Sequence, residues 1–498
     1  MTEICEGIGI AAQEQAEEKK EEVKKKPKKI RIALFFDGTL NNRTNIKARE
    51  DDSEHYLDNT EPGSSYENGR TNIAIMETHM TTEIPDGYDY FESVYTPGQG
   101  TFNLEGDSTW GFAMGAGDSG VPSRAKAGVQ QAISVISGID ITIFDPKVHF
   151  IEKLTIDVFG FSRGAATARY AIFQVLKAKN NLYSRLKKFD FDIAKDAVEV
   201  GFAGLYDTVL SYMASQKFKS SRNRLEQTAH KHANKVVHLA SADEHRKDFP
   251  LHNIKSSKCN GGEEYYLPGV HSDIGGSYNA ADEVKIEAET DEDKKKALLM
   301  LTTAEDMTIN KGSLAKIEAD KAWLIEQGWY KAANNGKNDA TNQQETREKV
   351  KELEKKDKEK ITIKDGEFTT RLFYRRLGRR MRLSYATLSV ERTGINSGYA
   401  NIPLKIMADF VKKEPKLTLK PEMLKRADTV IKICDLGVLE TEITSYVAKK
   451  PDSKPEDWLD NPKIKSSRHK QLNFSAFRAI GYAPRFSDGK RKRFIYDA

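Results

Sequence analysis

Cysteine is nearly missing from this chain. Only Cys5, Cys259 and Cys434 occur in 498 residues. Their odd number and wide spacing exclude a disulfide framework and form no metal-ligand pattern. The expectation is reduced structural thiols, with neither a metal nor an organic cofactor. Long apolar runs are missing too, and nothing approaches the roughly 18 residues of a membrane-spanning helix. Met1 to Lys29 carries Glu and Lys where the apolar centre of a signal peptide should lie. Synthesis in the cytoplasm is therefore expected, with a route other than a cleaved signal if the protein works elsewhere. Charge of one sign is scarce: 79 basic against 74 acidic residues leave +5, too little to imply a nucleic-acid partner. Hydrophobic residues make up 38% and charged residues 31%, so a normal core is diluted by long solvated segments. No internal repeat is visible.

What is present begins with organisation. Residues 1–29 read as a charged, disordered tail. Apolar runs at Ile30–Phe36, Leu154–Phe159, Val198–Tyr206, Val236–Ala240 and Tyr265–Val270 read as strands, each ending in a polar or glycine-containing turn. Ser123–Ser137 has apolar residues at helical spacing. Strands alternating with helices predict an α/β fold: a mostly parallel central sheet with helices on both faces. Residues 30–281 form the expected catalytic core. Residues 282–370, rich in Glu and Lys, read as a charged, mainly helical insertion or cap. Residues 371–498 read as a C-terminal part that packs on the core and a candidate membrane-facing lobe.

The chemistry centres on Asp157-Val-Phe-Gly160-Phe-Ser162-Arg163-Gly164-Ala-Ala166. An apolar strand breaks at Gly-x-Ser-x-Gly and continues as a small-residue helix, the context of a nucleophile elbow. Gly160 and Gly164 flank a serine whose backbone must be strained, where side chains would collide. A serine hydroxyl needs a base, and the base needs an orienting acid. Asp207 ends the Val198–Tyr206 strand, and a helix N-cap is the bland alternative for it. His271, in Pro268-Gly-Val-His271-Ser-Asp273-Ile-Gly-Gly276, follows another strand. The order Ser, Asp, His is that of α/β-hydrolases. His238 reads instead as a core residue, while His245 and His252 read as members of a charged loop. The backbone N–H of Arg163 and the Gly38-Thr39 loop are the expected oxyanion donors. Asp37 is expected to brace that loop through backbone N–H groups. Phe35-Phe-Asp37-Gly38-Thr39 also resembles the Asp-x-Asp-Gly-Thr motif of haloacid-dehalogenase-type phosphatases, but Phe35 stands where their nucleophilic aspartate would be.

Taken together, the segments Phe35-Phe-Asp-Gly-Thr-Leu-Asn-Asn42, Gly160-Phe-Ser-Arg-Gly-Ala165 and Pro268-Gly-Val-His-Ser-Asp-Ile-Gly-Gly276 resemble a bacterial α/β-hydrolase family. Its best-known members are phospholipase effectors of type VI secretion systems, the Tle family. The likeness runs from about 30 to 280, including Pro97-Gly98-x-Gly100-Thr101 and His238–Arg246, with a smaller echo near 385–411. It implies catalysis by Ser162, Asp207 and His271, with Asp273 in support. It implies a phospholipase A, with A1 preferred over A2, acting on glycerophospholipids as an antibacterial effector. Delivery to the target-cell periplasm, a loading partner on the secretion spike and an immunity protein would follow. Two other readings compete: a cytosolic esterase on soluble acyl esters, and a catalytically idle binding module. For membrane contact the candidates are Arg371, Arg375, Arg376, Arg379, Arg380 and Arg382 beside Leu372-Phe373-Tyr374. The bland alternative is a solvated helix face paired with nearby carboxylates.

Overall fold

The computed structural model describes residues 25–108, 119–210, 225–278, 302–333, 360–377, 380–449, 452–478, 482–487 and 490–498, with isolated positions at 290, 292, 293, 296 and 348. Most of the charged tail, Arg379 and much of the charged region 282–370 lie outside these residues.

Six strands build the main sheet: β1 (Lys26–Phe36), β2 (Tyr90–Thr96), β3 (His149–Phe161), β4 (Val198–Tyr206), β5 (Ala233–Ser241) and β6 (Glu263–Leu267). Their order is β2-β1-β3-β4-β5-β6, parallel throughout. Such a sheet is covered on both faces, so its inner strands are nearly continuously apolar. Along β1, Ile30, Ile32, Leu34 and Phe36 point to one core, while Ala33 and Phe35 point to the other. The first core is closed by helices α1 (Val121–Ser137), through Ala125, Val129, Ala132, Ile133 and Ile136, and α2 (Arg163–Leu176), through Ala165, Ala168, Ala171 and Ile172. Two differences from expectation are local. Strand β1 starts at Lys26, four residues inside the charged tail. Strand β2 lacks a continuous apolar run, because its outer position leaves Glu92 and Ser93 half-buried amid the apolar residues.

The other core reaches beyond this sheet. A second sheet contains β7 (Thr302–Gly312), β8 (Lys360–Asp365), β9 (Phe368–Leu377) and β10 (Arg380–Asn396), antiparallel in the order β7-β10-β9-β8. Helix α3 (Leu314–Glu326) packs on it; α4 (Asn401–Lys413), α5 (Pro421–Ile433) and α6 (Gly437–Lys449) pack each on the next, with α4 also against β5; and α7 (Pro462–Gln471) packs on β10 and α6. A single apolar cluster runs from Phe35, Phe159 and Phe161 through Ile309, Leu372 and Leu388 to Met407 and Ile443.

The region 282–370 therefore contributes strands as well as helix α3, and the boundary placed at 371 falls inside β9. The polar composition misled because only alternate strand residues are buried, Phe368, Leu372 and Tyr374 among them. The basic cluster corrects in the same way. Arg371 and Arg375 lie on β9, with Arg375 exposed, so the setting is an antiparallel sheet and not a helix face.

Candidate active site

The main sheet changes its direction of winding between β1 and β3. From β1 the chain moves outward to β2, whereas β3 leads across to β4. Loops at that switch point diverge and open a crevice at the carboxyl ends of the strands. Asp37-Gly38-Thr39 leaves β1 there and Ser162 leaves β3.

Ser162 sits between β3 and α2 with φ 59° and ψ −127°, a strained conformation for any residue bearing a Cβ. The glycines make it sterically feasible. A Cβ on Gly164 would run into the carbonyl oxygens of Phe36 and Asp37, and one on Gly160 would run into Gly164 itself. Helix α2 thus starts directly against the end of β1.

Three side chains from three strand ends meet. His271 Nε2 lies 2.8 Å from Ser162 Oγ, and His271 Nδ1 lies 2.5 Å from Asp207 Oδ2. All three residues are buried. Asp207 also accepts from the backbone N–H of Ser241 at 2.8 Å. It follows β4 directly with a positive φ of 39°, so the strand-end reading fits it and an N-cap does not. Burial opposes charge on Asp207, but Arg493 and His271 hold its carboxyl well below the ordinary aspartate range. Burial also lowers the pKa of His271, against the pull of Asp207, so the imidazole is neutral and can accept a proton.

The loop carrying His271 is clamped by the segment after β5. Asp243 accepts from Gly269 N–H at 2.8 Å, and Glu244 accepts from His271 N–H at 3.2 Å. Asp273 accepts from Val270 N–H at 3.0 Å and from the Asn473 side chain at 2.8 Å. Burial pushes Asp273 up to about 7, despite the hydrogen bonds from Asn473. Tyr399 donates to the Pro268 carbonyl at 2.6 Å, which connects the 385–411 echo to the same loop.

On the β1 side, Asp37 accepts from Gly38 N–H at 2.7 Å, from Thr71 Oγ1 at 2.6 Å and from Tyr95 OH at 2.5 Å. Burial raises its carboxyl to about 6. It does brace the loop, but with one backbone donor and two hydroxyls. The Gly38 N–H is directed at Asp37, which removes it from the oxyanion role expected of it. Thr39 accepts from Arg163 Nε at 2.6 Å, so the Arg163 side chain ties the elbow to the loop. Pro97–Thr101 packs on this loop, with Leu40 N–H donating to the Gln99 carbonyl at 3.1 Å.

Among competing histidines, His238 bonds Glu264 at 2.8 Å and accepts from Thr208 N–H at 3.1 Å, a satisfied core position. His245 and His252 are buried too, not members of an open charged loop. Arg371 donates to Ser389 Oγ at 2.9 Å. Sequence reasoning missed Arg493, whose guanidinium grips both oxygens of Asp207. No motif marks it.

Among the described residues, no group of three His, Cys, Asp or Glu side chains is placed to hold a metal ion. Nor is any helix among them long and apolar enough to cross a membrane.

A parallel α/β sheet with a nucleophile elbow and a Ser–His–Asp arrangement defines a hydrolase-type architecture. Residues 174–300 match the model of the Tle1-like catalytic domain of type VI secretion phospholipase effectors. That segment contains Asp207 and His271 and begins beyond Ser162. The resemblance drawn from the motifs thus has a family match behind it. A structure described as the Tle1 effector bound to the VgrG spike from the type VI secretion system is similar in fold. It shares 18% identity over 95% of this chain and 94% of its own, with a TM-score of 0.51. An uncharacterized protein from Pseudomonas aeruginosa shares 19% identity over 51% of this chain and 42% of its own, with a TM-score of 0.31. No curated protein matches.

Proposed function

We propose that the protein is a serine esterase that hydrolyses acyl esters of membrane glycerophospholipids. The observation that carries the reading is the continuous hydrogen-bonded line from Ser162 Oγ through His271 to Asp207. Ser162 Oγ attacks the acyl carbonyl while His271 Nε2 takes its proton. Asp207 holds the imidazole by Nδ1 and balances the positive charge that develops. The backbone N–H of Arg163, at the start of α2, and the Thr39 loop face the oxyanion. His271 then protonates the leaving lysolipid alkoxide. Water, activated by the same histidine, releases the fatty acid.

The phospholipid substrate rests on the family match over residues 174–300, and cleavage at sn-1 is the favoured outcome. Delivery by a type VI system into a target periplasm, docking on a VgrG-type spike and neutralisation by an immunity protein extend the same likeness. The exposed Arg375 and half-buried Arg371 and Phe373 on β9 are candidates for headgroup contact.

The deciding experiment is product analysis from defined phospholipids with wild type and Ser162→Ala. Free fatty acid and lysophospholipid are expected from wild type, with a loss of about 10³-fold or more in the variant. Retained activity in Ser162→Ala would overturn the mechanism. Turnover of short soluble esters with none of phospholipid vesicles would leave the triad standing and remove the lipid substrate.

A further inference from the structure

Arg493 is a buried charge in direct contact with the triad aspartate that the reaction itself does not use. It is 5% exposed. Nη2 donates to Asp207 Oδ2 at 2.9 Å and Nη1 to Asp207 Oδ1, a two-pronged grip on one carboxylate. Nη1 also donates to the Ser241 carbonyl at 2.9 Å, while Nε and Nη2 both reach the Phe249 carbonyl at 3.3 Å. The guanidinium is thereby held in one plane by groups that flank Asp207.

The segment bearing it is fixed at several points. Ile495–Tyr496 pairs in parallel with Leu251–His252. Leu251 N–H donates to the Phe494 carbonyl at 2.9 Å, and Asn253 N–H to the Tyr496 carbonyl at 3.0 Å. Two residues before Arg493, Arg491 is paired through Nε and Nη2 with Asp320 of α3, at 2.9 and 3.0 Å. One short stretch of chain therefore links the triad aspartate to helix α3, which packs on the second sheet.

A cation on the triad aspartate has two opposed effects. It weakens the attraction that favours imidazolium at His271, and it fixes the plane of the carboxylate that aims the ring. We propose that Arg493 is a positioning residue of the active site, so that docking of residues 490–498 sets the orientation of Asp207 and hence of His271. The proposal rests on the serine-hydrolase reading above. The charged groups around His271 are Asp207 at Nδ1, Glu244 and Arg246 from the loop after β5, and Arg493 acting through Asp207.

The test uses the full chain with Arg493→Gln and Arg493→Lys, a soluble p-nitrophenyl ester, and kcat and KM measured across pH, with melting curves as control. Arg493→Gln is expected to lose about 10²-fold in kcat with KM little changed. Its acid limb should move to higher pH, because imidazolium gains stability when the cation is removed. Arg493→Lys keeps the charge and loses the fork, so its limb should stay near wild type while kcat falls about tenfold. Wild-type kcat in a folded Arg493→Gln overturns the proposal, as does lost kcat with an unmoved limb. If Arg493→Gln does not fold, Arg493→Lys decides: lowered kcat at an unchanged melting temperature supports the proposal, and wild-type kcat overturns it. A wild-type protein that neither hydrolyses the ester nor is labelled at Ser162 by a fluorophosphonate overturns the hydrolase reading itself.

Discussion

The strained φ of Ser162 and the neutral state of His271 have a common origin in confinement. Glycines at 160 and 164 let β3, α2 and the end of β1 approach until the serine has no relaxed backbone available. The same close packing removes water from His271, whose flank is covered by the Phe161 ring at 4.6 Å and the Phe249 ring at 5.2 Å. Desolvation penalises imidazolium, so the pKa lies below the ordinary 6.5 in spite of Asp207. The catalytic consequence follows from the sign. The base stays unprotonated to lower pH than a free histidine, so the acid limb of kcat/KM is expected to have its midpoint below 6.5. A pH–rate profile with its acid limb centred above 6.5 would contradict this assignment.

Loops, not strands, carry the site, and they stay in place because buried carboxylates collect their backbone N–H groups. The segment after β5 is the clearest case. Asp243 holds Gly269, Glu244 holds His271, and Asp243 is itself paired with Arg468 of α7 at 3.0 Å, both side chains being buried. Truncating one partner of such a pair leaves an uncompensated buried charge, which costs about 3–5 kcal/mol. Arg468→Ala is expected to lose that much stability by urea unfolding. A loss under 1 kcal/mol would show that the pair is not buried in solution. The acids of the His238–Arg246 motif, Asp243 and Glu244, thus accept from backbone donors of the neighbouring loop.

The molecule as a whole is joined across long sequence separations. Glu244 receives Ser475 from a position 231 residues away, and Arg493 reaches Asp207 across 286. Burial opposes charge on Glu244, yet Arg246 brings its carboxyl from 4.5 down to about 2. A carboxylate with a depressed pKa stabilises the fold above its unfolded value and loses that contribution as pH falls through the folded one. The stability difference between wild type and Glu244→Gln is therefore expected to be constant above pH 4.5 and to shrink between 4.5 and about 2. Denaturant titrations at a series of pH values would measure it. A difference that stays flat through that window would count against the Glu244–Arg246 pair as a link in the fold.

The elbow, the strand ends at Asp207 and His271, and the parallel α/β sheet were legible because each depends on contiguous residues. Apolar runs, glycines around a serine and turn formers after a strand are local codes, and local sterics read them directly. Other features were not local. The antiparallel sheet of 302–396 hid behind polar composition, since alternate burial halves the apolar signal of each strand. Strand β2 hid for the same reason at the outer position of the main sheet. Engagement of the Gly38 N–H by Asp37 is a matter of torsion and of Thr71 and Tyr95 closing from other segments. Arg493 could be found only in three dimensions. An arginine in a basic stretch looks solvated until the chain folds, and only tertiary packing gives it a buried carboxylate to answer.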